Sequence, residues 1–267
     1  MHDDLPKISC LTVTANRLIL LKQAVACFMA QTYPNKELVV VTDGTAYYKR
    51  CLADYVHSLR RSDIKFVFLD EADHPLGKLR NISIEKASGD VICQWDDDDL
   101  YHSDRLQIQY DHMKKENAGA CFLGDQLHYF AQRGEIFWVD WIASNTIHER
   151  DQLFPGSMMA YKDDRFRYPE DGHYARTGED TDYLYQLYQH IKVTRLRHRG
   201  YIYVYRYHGQ NAFNLAHHDL IASTHACSFE FARANEAVLR KALKQYQLPM
   251  PYIFKVRDNR SFFTYNE

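Results

Sequence analysis

Four short apolar runs recur through the first hundred residues, at 8–13, 37–41, 64–69 and 91–95. Each is too short for a helix and is bounded by turn or charged residues, so each reads as a buried strand. Helical stretches lie between them at 17–31, 46–61 and 79–87, the first stopped by Thr32-Tyr33-Pro34. Strict alternation of strand and helix leaves few topologies open. A parallel sheet with helices over its faces keeps the connections short and the crossovers right-handed. The expected fold class is therefore α/β, with a mixed, mainly parallel, Rossmann-like sheet flanked by helices. Ligands on such sheets sit beyond the carboxyl ends of the strands.

The fourth apolar run opens directly into four consecutive aspartates, Asp96 to Asp99. Adjacent carboxylates repel one another and pack poorly, but their oxygens suit a hard divalent cation such as Mg²⁺ or Mn²⁺. A solvated acidic turn leading into a helix near Asp104 explains the same residues without a ligand. Asp43 also falls at the end of a strand, in Thr42-Asp43-Gly44. An aspartate before glycine is in addition an ordinary turn.

At 267 residues the chain has room for one large α/β domain or two small ones. A net charge of −2 gives no global attraction to nucleic acid or to an anionic membrane. The six cysteines are scattered without a CxxC pair, which argues against a zinc site or disulfide framework. No basic-then-apolar leader opens the sequence, and no apolar run approaches the roughly 18–20 residues of a membrane span. A cytoplasmic location is expected.

The second half reads differently. Strands are expected over 118–130 and 135–141, around the turn at Gln132-Arg133-Gly134. A helix is expected over 179–190, strands over 192–196 and 201–207, and one long amphipathic helix over 220–246, ended by Pro249-Met250-Pro251. No repeat or linker is visible. The expected organisation is a single domain over 1–267, with halves at 7–115 and 116–211 and a helical extension at 212–267. Trp138, Trp141, Tyr129 and His128 are candidates to line a ligand cleft by stacking, against core packing for at least half of them. Met158 and Met159 read as strand core.

Four segments together resemble the family-2 glycosyltransferases of the GT-A fold. They are Thr12-Val13-Thr14-Ala15-Asn16-Arg17; Val41-Thr42-Asp43-Gly44-Thr45; Gly77-Lys78-Leu79-Arg80-Asn81 with Trp95-Asp96-Asp97-Asp98-Asp99; and Thr177-Gly178-Glu179-Asp180-Thr181-Asp182 followed by Tyr207-His208-Gly209. Each motif is weak alone, but they stand in the family's order across residues 7 to 211. The resemblance implies transfer of a sugar from a nucleotide-sugar, UDP-linked by preference, to a glycan or lipid-linked acceptor hydroxyl, with inversion, in bacterial surface polysaccharide synthesis. It implies Mn²⁺ or Mg²⁺ as cofactor, no nucleic-acid partner, and room for peripheral association with the inner membrane face.

The resemblance also assigns residues. Asp96 and Asp98 match the outer aspartates of an Asp-x-Asp motif, with Asp97 between them. Asp98 is the expected metal ligand, Asp99 and His208 the further ligand candidates, and Asp96 and Asp97 donor-side groups. Asp43 matches a residue that meets the nucleobase. The family often carries two acidic residues there, where this chain has Thr42-Asp43. Thr14 and Arg17 match the turn flanking base and ribose, although Arg17 equally suits a helix start. Lys78 and Arg80 match a nucleotide-facing basic region, against a salt bridge for Arg80. Asp180 matches the general base and Glu179 its acidic partner. Acidic residues at a helix start also stabilise its dipole. Two other readings stand beside this one: a nucleotidyltransferase, for which the glycine-free turn Thr14-Ala15-Asn16-Arg17 is ill suited, and a non-catalytic glycan- or nucleotide-binding module.

Overall fold

A computed structural model of the chain describes residues 5–142 and 148–266. The chain divides into two compact units. The first comprises the residues up to Asp98, with Leu106–Phe122 and Pro155–Thr194; the second comprises Asp99–Arg105, Leu123–Phe154 and the residues from Arg195 onward.

The first unit follows the expected alternation. Its elements are β1 (Ile8–Val13), α1 (Leu18–Met29), β2 (Lys36–Thr42), α2 (Ala46–Leu59), β3 (Ile64–Phe68), α3 (Leu76–Lys86) and β4 (Val91–Gln94). In α1 the buried residues are Leu21, Ala24, Val25 and Phe28, one face of a 3.6-residue period. β1 pairs with both β2 and β4, in parallel in each case, and β2 pairs in parallel with β3. The carboxyl ends of β1, β2 and β4 are thus side by side at one edge. The sheet has seven strands and includes β6 (Ala120–Leu123), β9 (Phe154–Tyr161) and β10 (Val193–Leu196), which follow later in the chain. β9 runs antiparallel to β4. Met158 and Met159 on β9 are buried, as expected of strand core. The helices α4 (Arg105–Lys115) and α5 (Glu179–His190) complete the regular elements around this sheet.

The second unit carries a six-stranded sheet: β5 (Leu100–Tyr101), β7 (Asp125–Phe130), β8 (Glu135–Asp140), β11 (Tyr203–Tyr207), β12 (Tyr252–Val256) and β13 (Arg260–Tyr265). The expected strand 118–130 is interrupted at Gly124, which separates β6 from β7. A Cβ at Gly124 would lie 2.5 Å from the Ile142 side chain, so the chain turns there on a residue without one.

The expected long helix over 220–246 is replaced by three short ones, α6 (Leu215–His225), α7 (Phe229–Ala234) and α8 (Glu236–Leu243). Backbone hydrogen bonding explains the break. Ala226 adopts an extended conformation and bridges to Val139 on β8. The Cys227 N–H donates to the Trp138 carbonyl, and the Cys227 carbonyl accepts from the Arg257 N–H. These groups serve the sheet and are lost to a helix. Ser228 then restarts the helix, its Oγ accepting the Phe231 N–H at 3.2 Å. The helical extension expected over 212–267 is likewise corrected, since its last part is the β12–β13 hairpin, with β12 parallel to β8.

The aromatic residues proposed for a cleft are mostly core. Trp138, Tyr129 and His128 are buried within the second unit, and Trp141 is half-buried. Trp138 Nε1 donates to Asp125 at 2.9 Å and Trp141 Nε1 to Gln126 at 2.6 Å, which satisfies both indoles inside the fold.

Candidate functional site

The carboxyl ends of β1, β2 and β4 deliver Thr14, Asp43 and the aspartate run to one edge of the first sheet. Trp95, the residue between β4 and the aspartates, is anchored from two sides. Its Nε1 donates to the Ala24 carbonyl of α1 at 3.0 Å, and its own carbonyl accepts the Thr12 hydroxyl at 2.6 Å. The start of the acidic run is therefore fixed by the sheet and not by its own charges.

The four aspartates have four different environments. Asp97 points inward and is 1% exposed; Arg17 Nη2 lies 2.8 Å from its Oδ1. Burial, reinforced by the charge of Asp98, pushes its carboxyl up to about 7. Its Oδ2 is buried and receives no hydrogen bond among the described residues. Asp98 is partly exposed and meets Arg17 Nη1 at 2.6 Å. Asp96 is the most exposed of the first three and is held from the other side. Gln94 Nε2 lies 3.2 and 3.3 Å from its two oxygens, and Arg80 Nη1 lies 3.2 Å from Oδ1. Asp99 belongs to the second unit. There its Oδ2 accepts the Tyr203 hydroxyl at 2.6 Å and its Oδ1 the Arg206 backbone N–H at 2.8 Å, so the side chain anchors the β11 strand. His208 follows that strand and is half-buried. Its backbone N–H donates to Asn211 Oδ1 at 2.9 Å, and its Nδ1 accepts the Gln210 N–H.

Arg80, on α3, connects the run to the acidic pair. It is 8% exposed, with Nε 2.9 Å from Glu179 Oε1 on one side and Nη1 near Asp96 on the other. The salt-bridge reading of Arg80 is the one its geometry supports, because its guanidinium reaches two carboxylates of the same unit. Gly178, at φ +86°, turns the chain into α5 and sets Glu179, Asp180 and Asp182 in the first turn. Glu179 is buried against Arg80. Asp180 is half-buried, and its Oδ1 accepts the Thr181 N–H at 2.8 Å. Burial, and then the neighbouring Glu179 charge, pushes the Asp180 carboxyl up to about 6, with Arg80 opposing. A carboxylate in that range is a competent base near neutral pH.

The remaining expected residues sit around this core. Thr14 is buried, with its hydroxyl 2.7 Å from that of Tyr48. Asp43 is nearly buried, and its Oδ2 accepts the His74 backbone N–H at 2.9 Å, which ties the segment before α3 to the end of β2. Lys78 is half-buried on the first turn of α3 and has no ion-pair partner among the described residues. Two contributors escaped the sequence reading. Gln94 carries a signal, being a polar residue closing an otherwise apolar strand, which obliges it to find a partner. Tyr168 carries none; it reaches the site only through the tertiary fold.

A hard divalent cation can be tested against these residues. Among the described residues, no three histidine, cysteine or acidic side chains form a metal-holding group. Mg²⁺ and Mn²⁺ bound with a diphosphate need only one or two protein carboxylates. The partly exposed Asp96 and Asp98 supply that number, beside a buried Asp97 Oδ2 that receives no hydrogen bond among the described residues. The donor set fits such an ion.

A mainly parallel sheet with carboxylates gathered at the ends of its central strands defines a GT-A type of α/β protein. Solved structures with this fold include S. aureus TarS 1–349 in complex with UDP-GlcNAc, 14% identical, TM-score 0.59, covering 91% of this chain and 68% of that one. Another is the mannosyltransferase PcManGT of Pyrobaculum calidifontis in complex with GDP-Man and Mn²⁺, 14% identical, TM-score 0.55, covering 92% and 67%. At these identities the likeness concerns the fold alone. Among sequences, the amylovoran biosynthesis glycosyltransferase AmsB of Erwinia amylovora is 37% identical over 82 residues, 30% of this chain and 27% of its own. A putative teichuronic acid biosynthesis glycosyltransferase, TuaG of Bacillus subtilis, is 27% identical over 128 residues, 46% and 48%. An uncharacterized glycosyltransferase of Rickettsia felis matches over only 18% of its own length. The chain belongs to glycosyl transferase family 2, whose family model matches residues 9–166.

Proposed function

We propose that this chain transfers a sugar from a nucleotide-sugar to an acceptor hydroxyl of a glycan or lipid-linked glycan, in the synthesis of a bacterial surface polysaccharide. The observation that carries the reading is the buried Arg80. It joins a donor-side carboxylate, Asp96, to the acidic pair that contains a base of raised pKa. The polysaccharide role draws on relatives named for amylovoran and teichuronic acid biosynthesis. The nucleotide-sugar draws on the UDP-GlcNAc and GDP-Man complexes of proteins with the same fold.

In this account Asp43 meets the nucleobase, with a pyrimidine and UDP preferred, and Thr14 borders the same end of the site. Lys78 is a cation available to the diphosphate, because Arg17 and Arg80 already neutralise aspartates. Asp98, with Asp96, would hold Mn²⁺ or Mg²⁺, which supplies charge neutralisation for the departing diphosphate. Asp180 accepts the proton of the acceptor hydroxyl. That oxygen bonds to the anomeric carbon from the face opposite the diphosphate, and the bond from that carbon to the diphosphate oxygen breaks. The product is an inverted glycoside and the leaving group a nucleoside diphosphate. Glu179 stays ion-paired to Arg80 and orients the helix start.

The substitution Asp180→Asn tests the base. The amide keeps the shape and cannot take the proton, so kcat should fall by roughly 10²–10⁴. Donor affinity should hold. A mutant that keeps kcat and loses donor binding would put Asp180 on the wrong side of the reaction.

A further inference from the structure

The structure assigns Tyr168 a positioning role: through Gln94 it sets the orientation in which Asp96 faces the donor. This rests on the reading of Asp96 as a donor-side group. The Tyr168 hydroxyl donates to Gln94 Oε1 at 3.2 Å, and Gln94 Nε2 donates to both oxygens of Asp96. A carboxamide can present either its oxygen or its nitrogen to a neighbour. Tyr168 and Asp96 settle that choice together: the Asp96 carboxylate can only accept, and the Tyr168 phenol, held protonated by burial, donates to the oxygen that Gln94 turns to it. The amide nitrogen is then directed to Asp96, which is the polarity a carboxylate requires.

Tyr168 is itself fixed from several directions. Asn81 on α3 accepts its backbone N–H and donates to its carbonyl, each at 2.9 Å. Its ring stacks on Tyr183 with centroids 4.2 Å apart, and Tyr183 lies one turn beyond Asp180 on α5. The Arg80 guanidinium lies over the same ring, 5.7 Å from its centroid. A residue held this firmly, whose one polar atom addresses one amide, transmits position well. The family match ends at residue 166, so Tyr168 lies outside the matched segment.

The hydroxyl can be removed alone. Tyr168→Phe keeps the stacking on Tyr183 and beneath Arg80, and frees the Gln94 amide to rotate. Binding of UDP and of GDP, each with Mn²⁺, is to be measured by calorimetry on the full chain. The set is wild type, Tyr168→Phe, Gln94→Leu, Asp96→Asn and the double variant Tyr168→Phe/Asp96→Asn. The expected result is a Kd about fivefold to tenfold weaker for Tyr168→Phe and for Gln94→Leu, the scale of one net hydrogen bond. The same Tyr168→Phe change should have no further effect in the Asp96→Asn background. Equal effects of Tyr168→Phe in both backgrounds would make the tyrosine a merely structural residue and overturn the inference. Wild-type affinity in Tyr168→Phe with weakened affinity in Asp96→Asn would also overturn it, and would leave the donor-site reading standing. Wild-type affinity in Asp96→Asn would remove the donor-site reading and the inference together.

Discussion

Single residues here act through the company they keep. Asp180 is an aspartate whose burial and proximity to Glu179 raise it to about 6. As a base it works only when ionised, so kcat should be level above that pH and fall about tenfold per pH unit below it. A pH–rate profile with its acidic limb near 4 would contradict the assignment. Asp43 makes a different expectation. One of its oxygens holds the His74 N–H, so Asp43→Ala removes an anchor of the loop and, on the proposed reading, a partner for the base. Nucleotide binding by calorimetry should weaken by roughly 1–3 kcal/mol. Unchanged binding would place the base elsewhere. The aspartate run and the acidic pair were legible in the sequence because charged residues at strand ends and helix starts are local signals. The distribution of roles among Asp96 to Asp99 was not. It depends on Arg17, Gln94, Arg80 and Tyr203, which the fold brings from distant parts of the chain.

At the scale of elements, the legible parts were those governed by periodicity and the illegible ones those governed by the backbone's search for partners. β1, with bounds Ile8–Val13, and α5, with bounds Glu179–His190, match the sequence expectation. The helix expected over 220–246 fails because Ala226 and Cys227 hydrogen-bond to strands, a demand that no local pattern announces. The β7–β8 pair carries a testable charge. Asp125 is buried on β7 beneath Trp138, and burial pushes its carboxyl up to about 7. Its folded pKa lies above its unfolded value, so it favours folding when protonated and loses that contribution as pH rises through about 7. Asn keeps an oxygen for the Trp138 N–H and has no charge to bury. The Tm of Asp125→Asn minus that of wild type should therefore grow between pH 5 and pH 8. A difference that is flat across that range would mean Asp125 does not titrate there.

The first unit gathers carboxylates at the carboxyl edge of its sheet, with Arg17 and Arg80 as their counter-ions. No helix among the described residues is long and apolar enough to cross a membrane. The proposed function has this edge receive a nucleotide-sugar and activate its diphosphate as a leaving group. Its most direct test uses water as a surrogate acceptor: release of nucleoside diphosphate from a panel of UDP-, GDP-, dTDP- and CDP-sugars, with Mn²⁺ and with excess EDTA. Slow release is expected from one donor class, UDP-sugars foremost, stopping in EDTA and absent in Asp98→Ala while that variant keeps the wild-type Tm. Release at the full rate in EDTA, or from Asp98→Ala, would contradict it.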